Sequence, residues 1–204
     1  MEVSIKKTDK KDFFQTENLT REAFWNVYKP GCDEHLILNK IRKSKSYIPE
    51  LDLVAIKENQ IIGHIISTKA RVIDTVNMEH EVLCVGPISV LPEFQKRGVG
   101  TKLLNYSITE AENLGYTAMI LFGNPDYYHR FGFRNAKENE ITTKDFKNFE
   151  PFMALELQLN SLKNVSGRFF EDNAFFANQD ELPEFEKKFP YRKKLKTKTQ
   201  LKGK

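Results

Sequence analysis

Two glycines, Gly98 and Gly100, stand between an apolar run and a helical pattern, in the stretch Gly86-Pro-Ile-Ser-Val-Leu-Pro-Glu-Phe-Gln-Lys-Arg-Gly-Val-Gly-Thr-Lys-Leu-Leu104. Val82 to Val90 reads as a buried strand that Pro92 closes. Val99, Leu103, Leu104, Ile108, Ala111 and Leu114 then fall on one face of a helix. A helix that starts here leaves its first backbone N–H groups without partners of its own. Such amides, aided by the helix dipole, bind anions and phosphates above all, and glycine lets a diphosphate approach with no Cβ in the way. A P-loop is excluded, because Thr101-Lys102 is in the wrong order and no glycine lies at the required distance upstream. The dinucleotide fingerprint is excluded because position 103 is Leu rather than Gly. What remains is Gln/Arg-x-x-Gly-x-Gly/Ala, filled by Gln95, Lys96, Arg97, Gly98, Val99 and Gly100.

The second chemistry-bearing run is Tyr127-Tyr128-His129-Arg130-Phe131-Gly132-Phe133. A phenol of pKa about 10 is protonated at neutral pH and can serve as an acid. His129 and His35 are candidates for proton transfer by residue type, but on a helix His129 points about 100° away from Tyr128. Cys84 lies inside an apolar strand with no histidine near it in sequence, so an inert buried thiol is expected. Asp33-Glu34-His35 cannot converge on one ion as adjacent residues, and helix capping is expected of them. Cys32 and Cys84 have no metal-ligand spacing, and no metal is expected.

Several elements must position these groups. Val3–Lys7 alternates like a strand. Asp9 or Asp12 can cap a helix carrying Phe13, Phe14, Leu19, Ala23 and Phe24. After a turn-rich loop, Trp25 to Gly31, Asp33 reads as the N-cap of a second helix with Leu36, Ile37 and Ile41 inward. Residues 51–57 and 61–69 flank Glu58-Asn59-Gln60 as a hairpin. Val72–Met78 is an extended segment or a turn, and Glu81–Val90 is the next strand. Gly115 stops the helix that follows the glycines. Ala118–Phe122 is a short strand buried on both faces. Asn124 caps a short helix with Pro125 at its first position, which carries Asp126 to Phe131 and ends at Gly132. Phe133 opens a further strand, and Phe152–Leu159 is the last clear one.

The chain has 204 residues, of which 40% are apolar, enough for one core. No window is apolar enough to span a membrane, and the N-terminus carries no apolar signal segment. With two distant cysteines, a reduced cytoplasm fits. The net charge of +4 hides an asymmetry. From Lys187 to Lys204 there are nine Lys or Arg and no acid, which leaves −5 for residues 1–186. The end of the chain, 191–204, is therefore expected to be a solvated, flexible basic tail on a single domain of residues 1–190.

The glycine motif, on a strand-loop-helix, resembles the pyrophosphate loop of the GNAT N-acetyltransferases. In that family a tyrosine four residues before the glycine of a closing Gly-Phe pair lies beside the CoA sulfur, and Tyr128 holds that place. Ala23-Phe24, Pro30-Gly31-Cys32-Asp33-Glu34-His35, Pro49-Glu50-Leu51, the Asn124 to Phe133 run and Val165-Ser166-Gly167 are similar to one bacterial branch of predicted acetyltransferases, over roughly residues 1–190. The resemblance implies an α/β (α+β) fold. Its central sheet is mixed and mostly antiparallel, flanked by helices, with the pyrophosphate loop between the central strand and the following helix. It implies acetyl-CoA as cosubstrate, with contacts from Ile88, Ser89, Val90, Gln95, Lys96, Arg97, Gly98, Val99, Gly100, Thr101, Asn124 and Tyr127. It implies Tyr128 as the acid toward the leaving thiolate and Glu81, upstream on the motif strand, as candidate base. The acceptor would be a small-molecule or peptide amine, and the acidic body and the aromatics of the 25–32 loop favour a cationic one. Membrane and nucleic acid are not expected as partners, and a homodimer is open. The competing class is a CoA-binding regulatory or nucleic-acid-associated module.

Overall fold

The computed structural model describes residues 2–178, 180–198 and 200. Its centre is a pair of long strands, β2 (Tyr47–Lys57) and β3 (Gln60–Ile73). Their connecting turn places Glu58 and Asn59 at φ 49° and 64°, the twisted two-residue geometry that suits a right-handed hairpin. β4 (Glu79–Val90) pairs antiparallel with β3 from Ile73↔Glu79 to Gly63↔Val90. β1 (Ser4–Lys7) lies outside β2. On the far side of β4 comes β5 (Ala118–Phe122), parallel, followed by β8 (Phe152–Glu156) and β6 (Arg134–Asn135), both antiparallel to their neighbours. The order is thus β1-β2-β3-β4-β5-β8-β6.

Two strands were not anticipated. β7 (Ile141–Thr143) pairs parallel with β9 (Gly167–Phe170), and β9 pairs with Arg71–Ile73 of β3. β9 takes the edge of β3 that β2 has left, since the last β2 partner there is Tyr47↔Thr68. The strand at 152 ends at Glu156 and is not the last.

Alternation along the strands divides the core into two layers. Leu53, Ile65, Leu83 and Val85 face α3 (Val99–Asn113), which buries Val99, Leu103, Leu104 and Ala111 on them. The intervening residues face the other way. Val54 and Ile61 meet Leu19 of α1 (Phe13–Phe24), and Ile66 meets Leu38 and Ile41 of α2 (Glu34–Ile41). Val72, Val82, Cys84 and Ile120 meet Phe152 and Phe169. Leu38 is thus fully inward, with Ile37 partly buried against the same cluster. Leu114 lies just past the end of α3 and is 44% exposed, while Ser107 takes the buried place on that face. The helix expected over Asp126–Phe131 is one α-turn, α4 (Pro125–Tyr128), followed by a 3₁₀ turn.

A buried polar cluster fixes α2 to the hairpin. Arg42 Nε donates to Asp52 Oδ2 at 2.8 Å, and His64 Nε2 faces Asp52 Oδ1 at 2.8 Å. Burial opposes the charge on Asp52, yet hydrogen bonds from His64 and Arg42 and the charge of the Arg42 guanidinium hold its carboxyl well below the usual carboxylate range. Removing one partner of such a pair typically costs about 3–5 kcal/mol.

Residues 191–198 of the basic tail are exposed, as a solvated segment would be, and they are also hydrogen-bonded to the domain; residues 199 and 201–204 lie outside the described residues. After α5 (Leu182–Glu186), which packs Phe185 and Phe189 on Leu36, residues 191–198 run along the loop that follows α1. Lys193 O accepts from the Trp25 indole at 3.1 Å and from Asn26 Nδ2 at 3.2 Å. Leu195 N donates to Asn26 Oδ1 at 3.0 Å. Exposed backbone groups of the loop and the tail satisfy one another, which ties this segment to the domain.

Candidate active site

β4 and β5 part company almost at once. They pair only at Leu83↔Met119 and Cys84↔Ile120, after which β4 runs on to Val90 and β5 to Phe122. The divergence begins where β4 bulges. Gly86 and Pro87 stand opposite the single residue Ile66 of β3, and Gly86 takes φ 132°. A bulge bends its strand and increases the local twist. The result is a cleft between two strands, floored by neither, with a free edge on β4.

Backbone donors line that edge. Leu91 N donates back to Ile62 O of β3 at 3.0 Å. Because amides alternate along a strand, Ser89 also faces β3, whereas Ile88 and Val90 face the cleft. Val90 O accepts from Gln95 Nε2 at 3.0 Å on that side. Of the expected donors Ile88, Ser89 and Val90, the first and third are therefore free. Ser89 serves packing instead: its hydroxyl lies 2.9 Å from Thr20 Oγ1 of α1, both buried. Gln95 likewise closes the loop onto β4.

At the cleft's mouth the chain turns into α3. Lys96 and Gly98 both take left-handed conformations, φ 58° and 82°. A Cβ on Gly98 would meet nothing within 4 Å, so the space above the helix start is open. The first hydrogen bond of the helix is Lys102 N to Gly98 O at 3.0 Å. The amides of Val99, Gly100 and Thr101 come before the first partner the helix can offer. Lys96 and Arg97 are exposed beside them.

Gly100 has a different reason to be glycine from the one its spacing suggests. A Cβ there would stand 2.7 Å from the Tyr127 hydroxyl. Tyr127 reaches over from α4, its phenol hydrogen-bonds Thr101, and burial pushes its pKa up. The cap of α4 is Asn124, whose Oδ1 accepts from Asp126 N at 3.1 Å. Its carbonyl accepts from Tyr127 N at 3.0 Å and Tyr128 N at 3.2 Å. Asn124 thus sets both tyrosines.

Tyr128 is 9% exposed. Its ring rests on Gly123, where a Cβ would come within 2.2 Å of Cε2. Tyr127 packs edge-on against it at 4.9 Å and Phe133 at 5.8 Å. Burial first, then Tyr127 and Tyr28, push the Tyr128 phenol well above its ordinary value, so it is a held proton at any physiological pH. Phe122, the last residue of β5, lies on the opposite face and is 44% exposed. It stacks on Phe152 at 4.9 Å and Phe149 at 5.9 Å. Single-residue patterns gave no sign that this aromatic pair would stand at the lip of the cleft.

Glu81 is not brought to this place. Its carboxylate is exposed and accepts from Lys69 Nζ at 3.2 Å. It lies five residues before the bulge, about 16 Å along a strand rising about 3.3 Å per residue. In this structure Glu81 is a surface ion-pair residue, away from the bulge where the base was expected to act. Cys84 is buried and its thiol pushed well up by burial. His129 lies on the outer side of the 3₁₀ turn. Among the described residues no three His, Cys, Asp or Glu side chains gather where they could hold a metal ion. No described helix is long and apolar enough to cross a membrane.

Residues 12–133 match the model of the acetyltransferase (GNAT) family. Among curated relatives, the uncharacterized N-acetyltransferase YjhQ of Escherichia coli K12 is 28% identical over 127 residues, 62% of this chain and 66% of that protein. The uncharacterized N-acetyltransferase YhbS of the same strain is 25% identical over 110 residues, 54% and 64% of the two chains. Each match spans just under two thirds of the curated relative's length. Among solved structures, the GNAT family N-acetyltransferase YhbS of Escherichia coli in complex with CoA superposes with a TM-score of 0.75. It is 20% identical and covers 86% of this chain and 92% of its own. A GNAT family acetyltransferase from Brucella melitensis in complex with acetyl-CoA gives 0.70 at 26% identity, over 86% and 99%. On this evidence the chain belongs to the acetyltransferase (GNAT) family.

Proposed function

We propose that this protein transfers an acetyl group from acetyl-CoA to a primary amine within a ternary complex. The observation that carries the reading is the pairing of two free sets of amides with one buried phenol. The amides of Val99 to Thr101 open on the space left by Gly98, which suits a diphosphate. The free edge of β4, with Ile88 and Val90, runs from there into the cleft toward Tyr128. A pantetheine chain is an extended amide ligand and fits such an edge as an added strand would. The relatives solved with CoA and acetyl-CoA support the same cosubstrate here.

The cosubstrate supplies an activated thioester, and the protein's residues supply the rest. An Ile88 or Val90 amide can donate to an oxygen on which negative charge develops. Tyr128 keeps its proton and can donate a hydrogen bond to the departing sulfur as negative charge develops there. The thiolate, the weaker base of the two, takes its proton as the tetrahedral intermediate collapses or from solvent. Among the described residues the titratable groups that bear on Tyr128 are the phenols of Tyr127 and Tyr28, neither a base at neutral pH, so removal of the amine's proton falls to solvent. On this account kcat/KM rises with pH along the acceptor's own titration, and Glu81→Gln leaves turnover within about twofold of the wild type, well short of the loss an acid–base group produces. The test is an acceptor screen with free-CoA detection across polyamines, aminoglycosides, amino acids and peptide N-termini. Turnover of at least one amine class is expected. Acetyl-CoA binding with no turnover on any of them would favour a CoA-binding regulatory module instead.

A further inference from the structure

We propose that the C-terminal basic segment is a latch on the loop after α1, residues 25–33, and that Asn26 is the positioning residue through which it acts. This rests on the reading that the loop borders the acceptor beside Tyr128.

Asn26 takes a left-handed φ of 62° and divides its polar groups between closing the loop and holding the tail. Its Oδ1 accepts from Gly31 N at 2.8 Å across the loop and from Leu195 N at 3.0 Å in the tail. Its Nδ2 donates to Lys193 O at 3.2 Å, and its carbonyl accepts from Thr197 Oγ1 at 3.0 Å. Its own N–H closes the loop on Gly31 O at 3.0 Å. Trp25, the chain's single tryptophan, is 7% exposed. Its indole donates to Lys193 O at 3.1 Å, with the Arg21 guanidinium 4.2 Å over its ring. Lys194 lies across Gly31, where a Cβ would stand 3.0 Å from its Cε.

Four residues before Cys32, Tyr28 is half exposed and close enough to Tyr128 to contribute to the rise in its pKa. The loop holding it has Lys29, Pro30 and Gly31 at its tip and no partner strand. The loop closes on itself through Asn26 N to Gly31 O, Gly31 N to Asn26 Oδ1 and the Lys29–Asp33 ion pair, and an exposed segment of this kind sits at the low-stability end of a fold. The tail adds bonds from outside the loop to the same residues. Arg21 keeps its separate partners, Glu186 and Pro190 O, so cutting after Pro190 removes the latch and spares the strut below it.

The test compares the full chain with the protein truncated after Pro190 and with Asn26→Gly, which keeps the left-handed backbone but loses the side chain. Both should show red-shifted Trp25 emission, more efficient acrylamide quenching and faster hydrogen exchange at Gly31. Affinity for acetyl-CoA should hold, while kcat/KM for the amine found in the screen should fall about tenfold through KM, as the loss of one or two net hydrogen bonds would give. Asn26→Asp keeps both Oδ1 bonds and should recover most of the loss. Unchanged Trp25 quenching and Gly31 exchange in the truncated protein would overturn the latch. So would a parallel fall in acetyl-CoA affinity, which would make the tail a support of the whole fold. If the screen finds no amine, the proposed transfer fails, and the fluorescence, exchange and affinity measurements still decide the latch.

Discussion

In the proposed transfer the chemistry turns on Tyr128, and two substitutions separate that role from packing. Tyr128→Phe keeps the ring on Gly123 and removes only the proton. It should lower kcat by roughly 10²-fold, the usual range for one acid-base group, with little change in the Michaelis constant for acetyl-CoA, as steady-state kinetics would show. Gly100→Ala puts a Cβ 2.7 Å from the Tyr127 hydroxyl, so it should weaken acetyl-CoA binding through displaced Tyr127. Adding Tyr127→Phe, which removes the obstructing oxygen, should restore part of that affinity in a calorimetric double-mutant cycle. The turn that carries Tyr128 and the glycine turn into α3 were legible in the sequence because their spacing is local. The placing of Glu81 was not, because a strand residue's neighbours come from another strand. Lys69, which takes its carboxylate, is twelve residues away.

At the level of elements, the cleft exists because β4 and β5 share only two residue pairs and β4 bulges at Gly86-Pro87. The strand, the glycine turn and α3 were readable from period and punctuation. β7 and β9 were not, being three and four residues long, too short to show alternation. Their pairing with the end of β3 is a long-range event that no local signal reports. α4 is likewise a single turn, and it holds its shape through its cap. Asn124→Ala should cost about 1 kcal/mol of stability and, by loosening Tyr127 and Tyr128 together, lower kcat more than an equally destabilising change elsewhere. Chemical denaturation alongside kinetics would check both halves. Equal losses of kcat in Asn124→Ala and in a remote variant of matched stability would count against the role given to the cap.

For the whole molecule, the tail shows what composition leaves out. A basic run reads as a solvated terminus, and residues 191–198 are exposed, but hydrogen bonds also join them to Trp25 and Asn26, more than 160 residues earlier. Stability should also carry a signature of buried histidines. Burial lowers the pKa of both His64 and His35 from 6.5, against the pull of Asp52 and Glu186 respectively. Each is neutral when folded and gains a proton on unfolding, so stability is full above about pH 6.5 and falls as pH drops toward the folded values. The slope is at most about 1.4 kcal/mol per pH unit for each. Glu17 and Glu34, raised by burial, act in the opposite sense nearer 4.5. Urea midpoints should therefore drop between pH 7.5 and 5.5, and drop less in a His35→Gln/His64→Gln protein. The central claim is that acetyl-CoA lays its phosphates on the amides at the start of α3, above Gly98. The most direct measurement is a calorimetric titration of acetyl-CoA into Gly98→Asn and Gly98→Asp. Both side chains tolerate the left-handed backbone and enter the same open space, differing only in charge. The account predicts about tenfold or more weaker binding in the aspartate protein, since a carboxylate would face the phosphates at a helix N-terminus. Equal affinities in the two would contradict it.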